Sequence, residues 1–458
     1  MAAKRAKNED QMNRRRDRIS ELPDPIIHQI LSLVPTKEAA RTSVLSKRWR
    51  YTWTSISTVK LFDFCFIRER FYESVDECMM SHERDASLNK FRLYTKYLYG
   101  KRPLMDNWMN IVAQKNVKEL DLHLKPHFKK EFYPLPQALL RLRSLTVVKL
   151  ENLSLENLPS VSLPSLKLLV LREISKLDDK GLETLLLGCP HLEKLLLDGC
   201  DELSNPRVSS STIKSLEIFL NFKCKYGLVL VDAADLRSFV FNVTSKGSCD
   251  RINFSRAASI RNVSFTNYVN FDDNWLEGLI SRMPLLQSLA LDNCCSLRNI
   301  KINCEDLKSL YLRETKECNG ENLIINAPNL LSFTYEGMSM LNLSIDAPKV
   351  SQVNILISAE ASSKAYDIEW YNNLIDFLSN LDCAETLNIH VCSEKALIFP
   401  IESRNVRFSP LPSLKNLKVK THRPVFRKKK MSESLGWVAP SVQTLSIEQE
   451  FLRWCCFN

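Results

Sequence analysis

LPSLKLLVLREISKLDDKGLETLLLGCPHLEKLLLDGC, residues 163–200, contains one short pattern twice. LKLLVL (166–171) and LEKLLL (192–197) both read apolar-x-x-apolar-x-apolar. The closing apolar-x-apolar alternates with period two, as a strand with one buried face does. The first apolar residue points into the same core from the preceding turn. Working outward, the kernel recurs upstream as VKELDL (117–122) and LRSLTV (142–147). Downstream it recurs as IKSLEI (213–218), LRSFVF (236–241), IRNVSF (260–265), LQSLAL (286–291), LKSLYL (307–312) and LLSFTY (330–335). VSQVNI (350–355), AETLNI (384–389), LKNLKV (414–419) and VQTLSI (442–447) complete fourteen copies. Spacing is 20 to 26 residues as far as the eleventh copy, then 34, 30 and 28. One such unit cannot bury its own apolar face, whereas stacked units can. Proline often precedes the kernel, as at Pro164, Pro190, Pro284 and Pro328, where its fixed φ and missing N–H suit a turn feeding a strand.

A period in the twenties with this kernel is that of a leucine-rich repeat. The expected fold is an α/β solenoid, an irregular horseshoe over residues 116–450 with about 14 kernels and a long concave strand face. Such a face suits the holding of a protein rather than a reaction. Most copies lack the asparagine of the common motif, and unit boundaries within 356–440 stay open.

Composition is ordinary for a globular protein. Of 458 residues 45% are hydrophobic and 25% charged, and only 10 are glycine, which argues against phosphate-cradling loops. The net charge of +10 is concentrated at the ends. Residues 1–16 read as a disordered basic arm, and Arg427 to Lys430 as a solvated run. A nuclear import signal or a weak nucleic-acid contact is the sharper alternative for each. The N-terminus lacks a secretory pattern and no stretch approaches about 18 uninterrupted apolar residues, so the chain is expected to be intracellular, in nucleus or cytoplasm, with no membrane partner. Fourteen scattered cysteines without a CxxC pair read as small buried hydrophobes. The adjacent Cys294 and Cys295 suit neither a metal cage nor an easy bridge. No GxxxxGK[ST], GxGxxG, GxSxG or HExxH motif occurs. His123 and His127 are four apart, but Pro126 lies between them and no acidic third ligand is near in sequence, so they read as loop histidines. Asp178–Asp179 and Asp272–Asp273 read as caps or turn residues. No catalytic, metal-binding or cofactor-binding residue is expected, and no cofactor.

Residues 17–56 stand outside the repeat: DRISELPDPIIHQILSLVPTKEAARTSVLSKRWRYTWTSI. Asp24 followed by Pro25 predicts a helix start. Ile26, Ile27, Ile30, Leu31 and Val34 follow at helical spacing, and Pro35 stops the helix. Thr36 is a candidate cap for a second helix and Ser46 for a third. Trp49 and Trp53 lie one helical turn apart, on one face. Three short helices make a modest core that leaves large apolar side chains to be covered by another surface.

The segment resembles an F-box. The matching residues are the LPD of 22–24, the ILS of 30–32, Pro35–Thr36–Lys37, TSVLSKRWR of 42–50, and Trp53. The resemblance implies docking on a Skp-type adaptor, and through it on a cullin-RING ubiquitin ligase. It makes Leu22, Pro23, Ile26, Ile30, Leu31, Val44, Leu45, Trp49 and Trp53 candidate adaptor contacts, the tryptophans as interface anchors. Some of these side chains could instead pack inward as a cap on the repeats, and Val44 and Ile27 suit an internal core equally. SLNKFRL (87–93), DNWMNIVAQKNVKELDL (106–122) and residues 163–203 extend the likeness to plant F-box proteins with leucine-rich repeats. The C-terminal region is a poor match to the FBD module that many of these carry. Residues 57–115, rich in aromatics, read as a connector capping the solenoid, and 451–458 as a tail. The function implied is that of a receptor holding a protein target near the ubiquitination machinery. The alternative is a non-ligase interaction scaffold, associated with nucleic acid through its basic termini, although nucleic acid is the less favoured partner.

Overall fold

The computed structural model describes residues 22–63, 68–81, 88–127, 131–156, 158, 160–244, 247–314, 320–337, 340–357 and 366–450. The basic arm and the 451–458 tail lie outside the described residues. The chain forms two compact units, divided between Leu203 and Ser204.

The first unit opens with α1 (Asp24–Leu33), α2 (Thr36–Arg41), a 3-10 turn (Thr42–Val44), α3 (Trp49–Thr52) and a second 3-10 turn (Trp53–Ser55). Asp24 does not cap α1 as its position before proline predicts. Pro23 takes the cap position in extended backbone, and the Asp24 carboxylate instead accepts from Arg48 Nε at 2.9 Å. Val34 is extended, as the residue before Pro35 must be, and α1 ends there. Thr36 is likewise not a cap: its buried hydroxyl accepts the Lys60 N–H at 2.8 Å, tying the helices to the first strand. Ser46 behaves as expected, its oxygen accepting the Trp49 N–H at 3.3 Å. Ile27, Leu31, Ala39, Trp49 and Ile56 form the core of this module, with Leu22, Val34 and Trp53 packed against it.

Six parallel strands follow: β1 (Thr58–Phe62), β2 (Lys90–Tyr97), β3 (Glu119–Pro126), β4 (Val147–Glu151), β5 (Leu168–Arg172) and β6 (Lys194–Asp198). The first two correct the reading of residues 57–115. Beyond connecting and capping, this segment supplies two further strands, because Ile56, Val59 and Leu61, then Leu88, Phe91 and Leu93, repeat the kernel and are buried. Between them, α4 (Arg68–Ser81) and α5 (Arg102–Gln114) cover the far side, where the Trp108 indole donates to Asp76 at 2.9 Å and its ring lies 5.6 Å from Tyr72. Of the connector aromatics, Phe64 and Phe66 lie outside the described residues; Tyr72, Phe91 and Tyr97 are core, and Tyr99 is exposed. The kernel at LRSLTV is also displaced. Leu145, Val148 and Leu150 are its true apolar positions, with Val148 opposite Leu120 and Leu150 opposite Leu122. The α6 helix (Asp179–Leu187) begins as expected with an acidic cap, Asp178 accepting from the Gly181 N–H at 2.7 Å.

The second unit carries ten parallel strands: β7 (Ser215–Leu220), β8 (Ser238–Val243), β9 (Asn262–Thr266), β10 (Ser288–Asp292), β11 (Ser309–Arg313), β12 (Ser332–Gly337), β13 (Gln352–Ile357), β14 (Thr386–Val391), β15 (Asn416–Thr421) and β16 (Thr444–Gln449). Kernel spacing selects what covers their far side. Where kernels start 24 residues apart or fewer, a short strand does so, giving two three-stranded sheets: Arg207–Ser209, Lys225–Asp232 and Ser248–Phe254, then Asn299–Asn303, Asn322–Asn326 and Asn342–Asp346. Where the spacing is 26 or more, helices do: α7 (Asp273–Ile280), α8 (Ile368–Ser379), α9 (Ile401–Val406) and α10 (Lys428–Val438). Asp272 and Asp367 cap α7 and α8 through the Trp275 and Trp370 N–H groups, both at 2.8 Å. Nine free cysteines lie among the described residues, seven of them buried. Cys295 departs from the expectation for its pair, being disulfide-bonded.

Candidate protein-binding surfaces

The α1 helix is apolar on two sides. Ile27 and Leu31 point into the module core at 0% and 1% exposure. Ile26, Ile30 and Leu33, spaced by four and three residues and therefore on one face, stand 43%, 41% and 74% exposed. Val44 (88%) and Leu45 (51%) add to the bare apolar surface from the turn after α2. The Arg48–Asp24 pair holds the chain just beyond Leu45 against the start of α1. Of the nine candidate adaptor contacts, Pro23, Ile26, Ile30, Val44 and Leu45 are exposed, and Leu22 and Trp53 are half-buried. Leu31 and Trp49 are corrections. Both are needed to fill a core of so few residues, and Trp49 at 3% exposure is enclosed by its own chain. Val44 is not core. Leu33 is an addition, detectable in sequence as the continuation of the Ile26, Ile30 spacing.

The second surface is the exposed face of the strands. In the first unit, Lys60, Arg92, Asp121 and Lys149 stand in register across β1–β4, and Phe62, Tyr94, His123 and Glu151 two residues on. Arg92 Nε lies 3.1 Å from Asp121 Oδ2, which also accepts from the Tyr94 hydroxyl at 3.1 Å. His123 corrects its reading as a loop residue. It is a strand residue, with Nδ1 3.1 Å from Glu151 and its ring 5.5 Å from Tyr94. Arg172 faces Asp198 at 3.5 Å; burial nevertheless raises the Asp198 carboxyl above its usual range, against the pull of that arginine. Burial, with Arg92 and Lys90 close by, lowers the Lys60 ammonium.

The second unit repeats the theme on its own strand face. Arg313 lies 3.6 Å from both Asp292 and Glu336, and the Tyr311 hydroxyl donates to Glu336 at 3.2 Å. An amide ladder follows: Asn354 donates to Thr334 at 3.2 Å and Asn388 to Asn354 at 2.7 Å. Lys418 then pairs with Glu448 at 3.0 Å. These polar side chains pair with one another across neighbouring strands. No group of three metal-binding side chains occurs among the described residues, and no helix among them is long and apolar enough to cross a membrane.

Comparison with known proteins separates the helical module from the repeats. The F-box domain model matches residues 19–60. The repeats of FBD-associated F-box protein At5g56370 match residues 105–268, and the leucine-rich repeat domain of At1g61320/AtMIF1 matches 249–426. F-box protein At4g09920 of Arabidopsis thaliana is 32% identical over 235 residues, 49% of this chain and 72% of that protein. The Arabidopsis F-box/LRR-repeat protein At4g14103 is 28% identical over 70% of this chain and 92% of its own. With the Arabidopsis putative FBD-associated F-box protein At5g22720 the identity is 35%, but the match spans only 44% of each chain. The chain belongs to the plant F-box proteins with leucine-rich repeats.

Proposed function

We propose that the protein is the substrate-recognition subunit of a cullin-RING ubiquitin ligase of the SCF type. Its F-box docks on a Skp-type adaptor, and its exposed strand faces hold a protein target. The observation that carries the reading is the bare apolar surface of Ile26, Ile30, Leu33, Val44 and Leu45, formed on a module whose own core is already complete. Apolar side chains left in water beside a finished core are ready for a partner to cover. The contribution to ubiquitin transfer is proximity: tethering a target's lysines near the charged conjugating enzyme makes the transfer quasi-intramolecular. No residue of this chain need touch the thioester.

Co-expression with the adaptor and cullin tests the reading. The wild-type chain is expected to co-purify with both. The double variant Val44→Asp, Leu45→Asp should lose both while unfolding at the same temperature as the wild type. A folded wild-type chain that recovers neither protein refutes the ligase role and leaves the interaction-scaffold reading.

A further inference from the structure

The strand face of the first unit carries charge that its own fold does not use. The carboxylates on this face are all taken: Glu119 pairs with Lys90, Asp121 with Arg92, Glu151 with His123 and Asp198 with Arg172. Lys60, on the same face, donates from Nζ to the Ser32 carbonyl at 2.7 Å. Lys96, Lys125, Lys149 and Lys194 remain, and none of them forms an ion pair among the described residues. Lys96 stands directly beside Lys125 across β2 and β3, both exposed, a like-charge pair that costs the sheet stability. Lys149 neighbours Asp121, which Arg92 and the Tyr94 hydroxyl already occupy. The excess belongs to this unit. On the strand face of the second, Glu217, Asp292, Glu336 and Glu448 outnumber Arg313, Lys418 and Lys420.

Between two of these lysines lies an apolar patch. Val147 is in register with Leu168, and Val170 with Leu196, and strand alternation places all of them on the open face. Val170 is 7% exposed and the others are half-buried. Lys149 lies in register beside Val170, and Lys194 beside Leu168, so a lysine brackets the patch on each side. Two strand spacings and two residues separate the brackets, about 12 Å between Cα atoms. An extended chain covers that distance in about four residues. In such a chain residues i, i+2 and i+4 face one way.

We propose that this face recognises an extended acidic segment of the target protein, with carboxylates at i and i+4 flanking an apolar side chain at i+2. The inference rests on the proposed role of the strand faces in holding a target, and it names the chemistry of what is held. The carboxylates meet Lys149 and Lys194, and the apolar side chain covers the aliphatic patch between them. Acidic residues further along the segment reach Lys96 and Lys125. Single-stranded nucleic acid fits less well. Its phosphates would meet the carboxylates of this face as well as the lysines, and the bracketed patch is aliphatic, with no ring for a base to stack on.

Selection of displayed random twelve-residue peptides on the full-length chain, without adaptor, tests the proposal. Recovered sequences should be enriched in Asp or Glu at i and i+4, with Leu, Ile, Val or Phe at i+2. A recovered peptide, labelled and followed by fluorescence anisotropy, should bind more weakly as salt rises. The double variant Lys149→Glu, Lys194→Glu should lose at least about tenfold in affinity at an unchanged unfolding temperature. Lysines in place of the peptide's two carboxylates should abolish binding to the wild type and restore it to the double variant. Leu196→Ala should weaken binding about threefold with the salt dependence unchanged. No enrichment of acidic residues, or affinity indifferent to charge reversal at Lys149 and Lys194, overturns the proposal. So does tighter binding of a single-stranded oligouridylate than of the peptides. A chain that binds the adaptor but selects no such peptide keeps the ligase reading and loses this one.

Discussion

Trp49 gives the sharpest test of how the N-terminal module is built. The indole is 3% exposed and packs with Ile27, Leu31, Ala39 and Ile56, yet its Nε1 finds no hydrogen-bond partner among the described residues. Trp49→Ala removes the largest side chain of this core and is expected to cost about 3–5 kcal/mol. Trp49→Phe keeps a ring in place and removes a buried N–H whose desolvation costs about 1–3 kcal/mol. The lost volume and the relieved donor offset each other, so the net cost should stay below about 1.5 kcal/mol. A chain of two units need not unfold in one step, so the readout should be local: amide hydrogen exchange in α1, with global unfolding as a control. Exchange should accelerate at least about a hundredfold in Trp49→Ala and less than about tenfold in Trp49→Phe. Equal effects of the two substitutions, or α1 protection unchanged in Trp49→Ala, would refute the placement of the indole as core.

Glu314 predicts a pH dependence in the second unit. Its carboxyl is 7% exposed, with the Tyr335 hydroxyl donating to it at 3.3 Å, and burial raises its pKa above the ordinary 4.5 even though that hydrogen bond lowers it. The folded state therefore holds the proton more tightly than the unfolded chain does. The corresponding stability is fully present below pH 4.5 and is lost as pH rises through the folded value. Thermal unfolding should show Glu314→Gln to be more stable than the wild type at pH 8, with the difference vanishing at pH 4. Gly188 closes α6, where an added Cβ would lie 2.5 Å from the Val161 carbonyl oxygen and 2.6 Å from its Cβ. Gly188→Ala should cost about 1–3 kcal/mol in urea unfolding, and a neutral result would show that the 160–163 segment yields easily.

Much of the repeat was readable because its kernel is a packing rule. In LKLLVL the observed alignment puts Leu166, Leu169 and Leu171 inside and leaves Leu168 half-buried. LRSLTVVKL (142–150) allows two, starting at Leu142 or at Leu145, and nothing local separates them. Register against Leu120 and Leu122 decides for the second, since an odd shift would turn the apolar residues to solvent. The kernels at Ile56 and Leu88 were equally present in sequence but hidden by their surroundings: one overlaps the end of the helical module, and both sit among aromatics that read as a cap. The nature of the far-side elements was encoded in kernel spacing rather than in composition. In the F-box the apolar pattern located the helices but could not apportion their faces. Ile26 and Ile27 are adjacent and chemically identical, and only the closing of the core on Trp49 and Ile56 sends one inward and leaves the other bare. Similarly, Asp24 reads as a cap until Arg48, far off in sequence, arrives beside it.

Calorimetric titration of the folded chain with a Skp-type adaptor at several temperatures tests most directly whether the apolar face of α1 and the 42–45 turn is an interface. A saturable complex of one adaptor per chain is predicted, with a negative heat-capacity change from apolar burial. Affinity should fall at least about thirtyfold, or 2 kcal/mol, on Val44→Asp. No heat and no complex at concentrations where the chain remains folded, or a complex indifferent to Val44→Asp and Ile30→Asp, would contradict it.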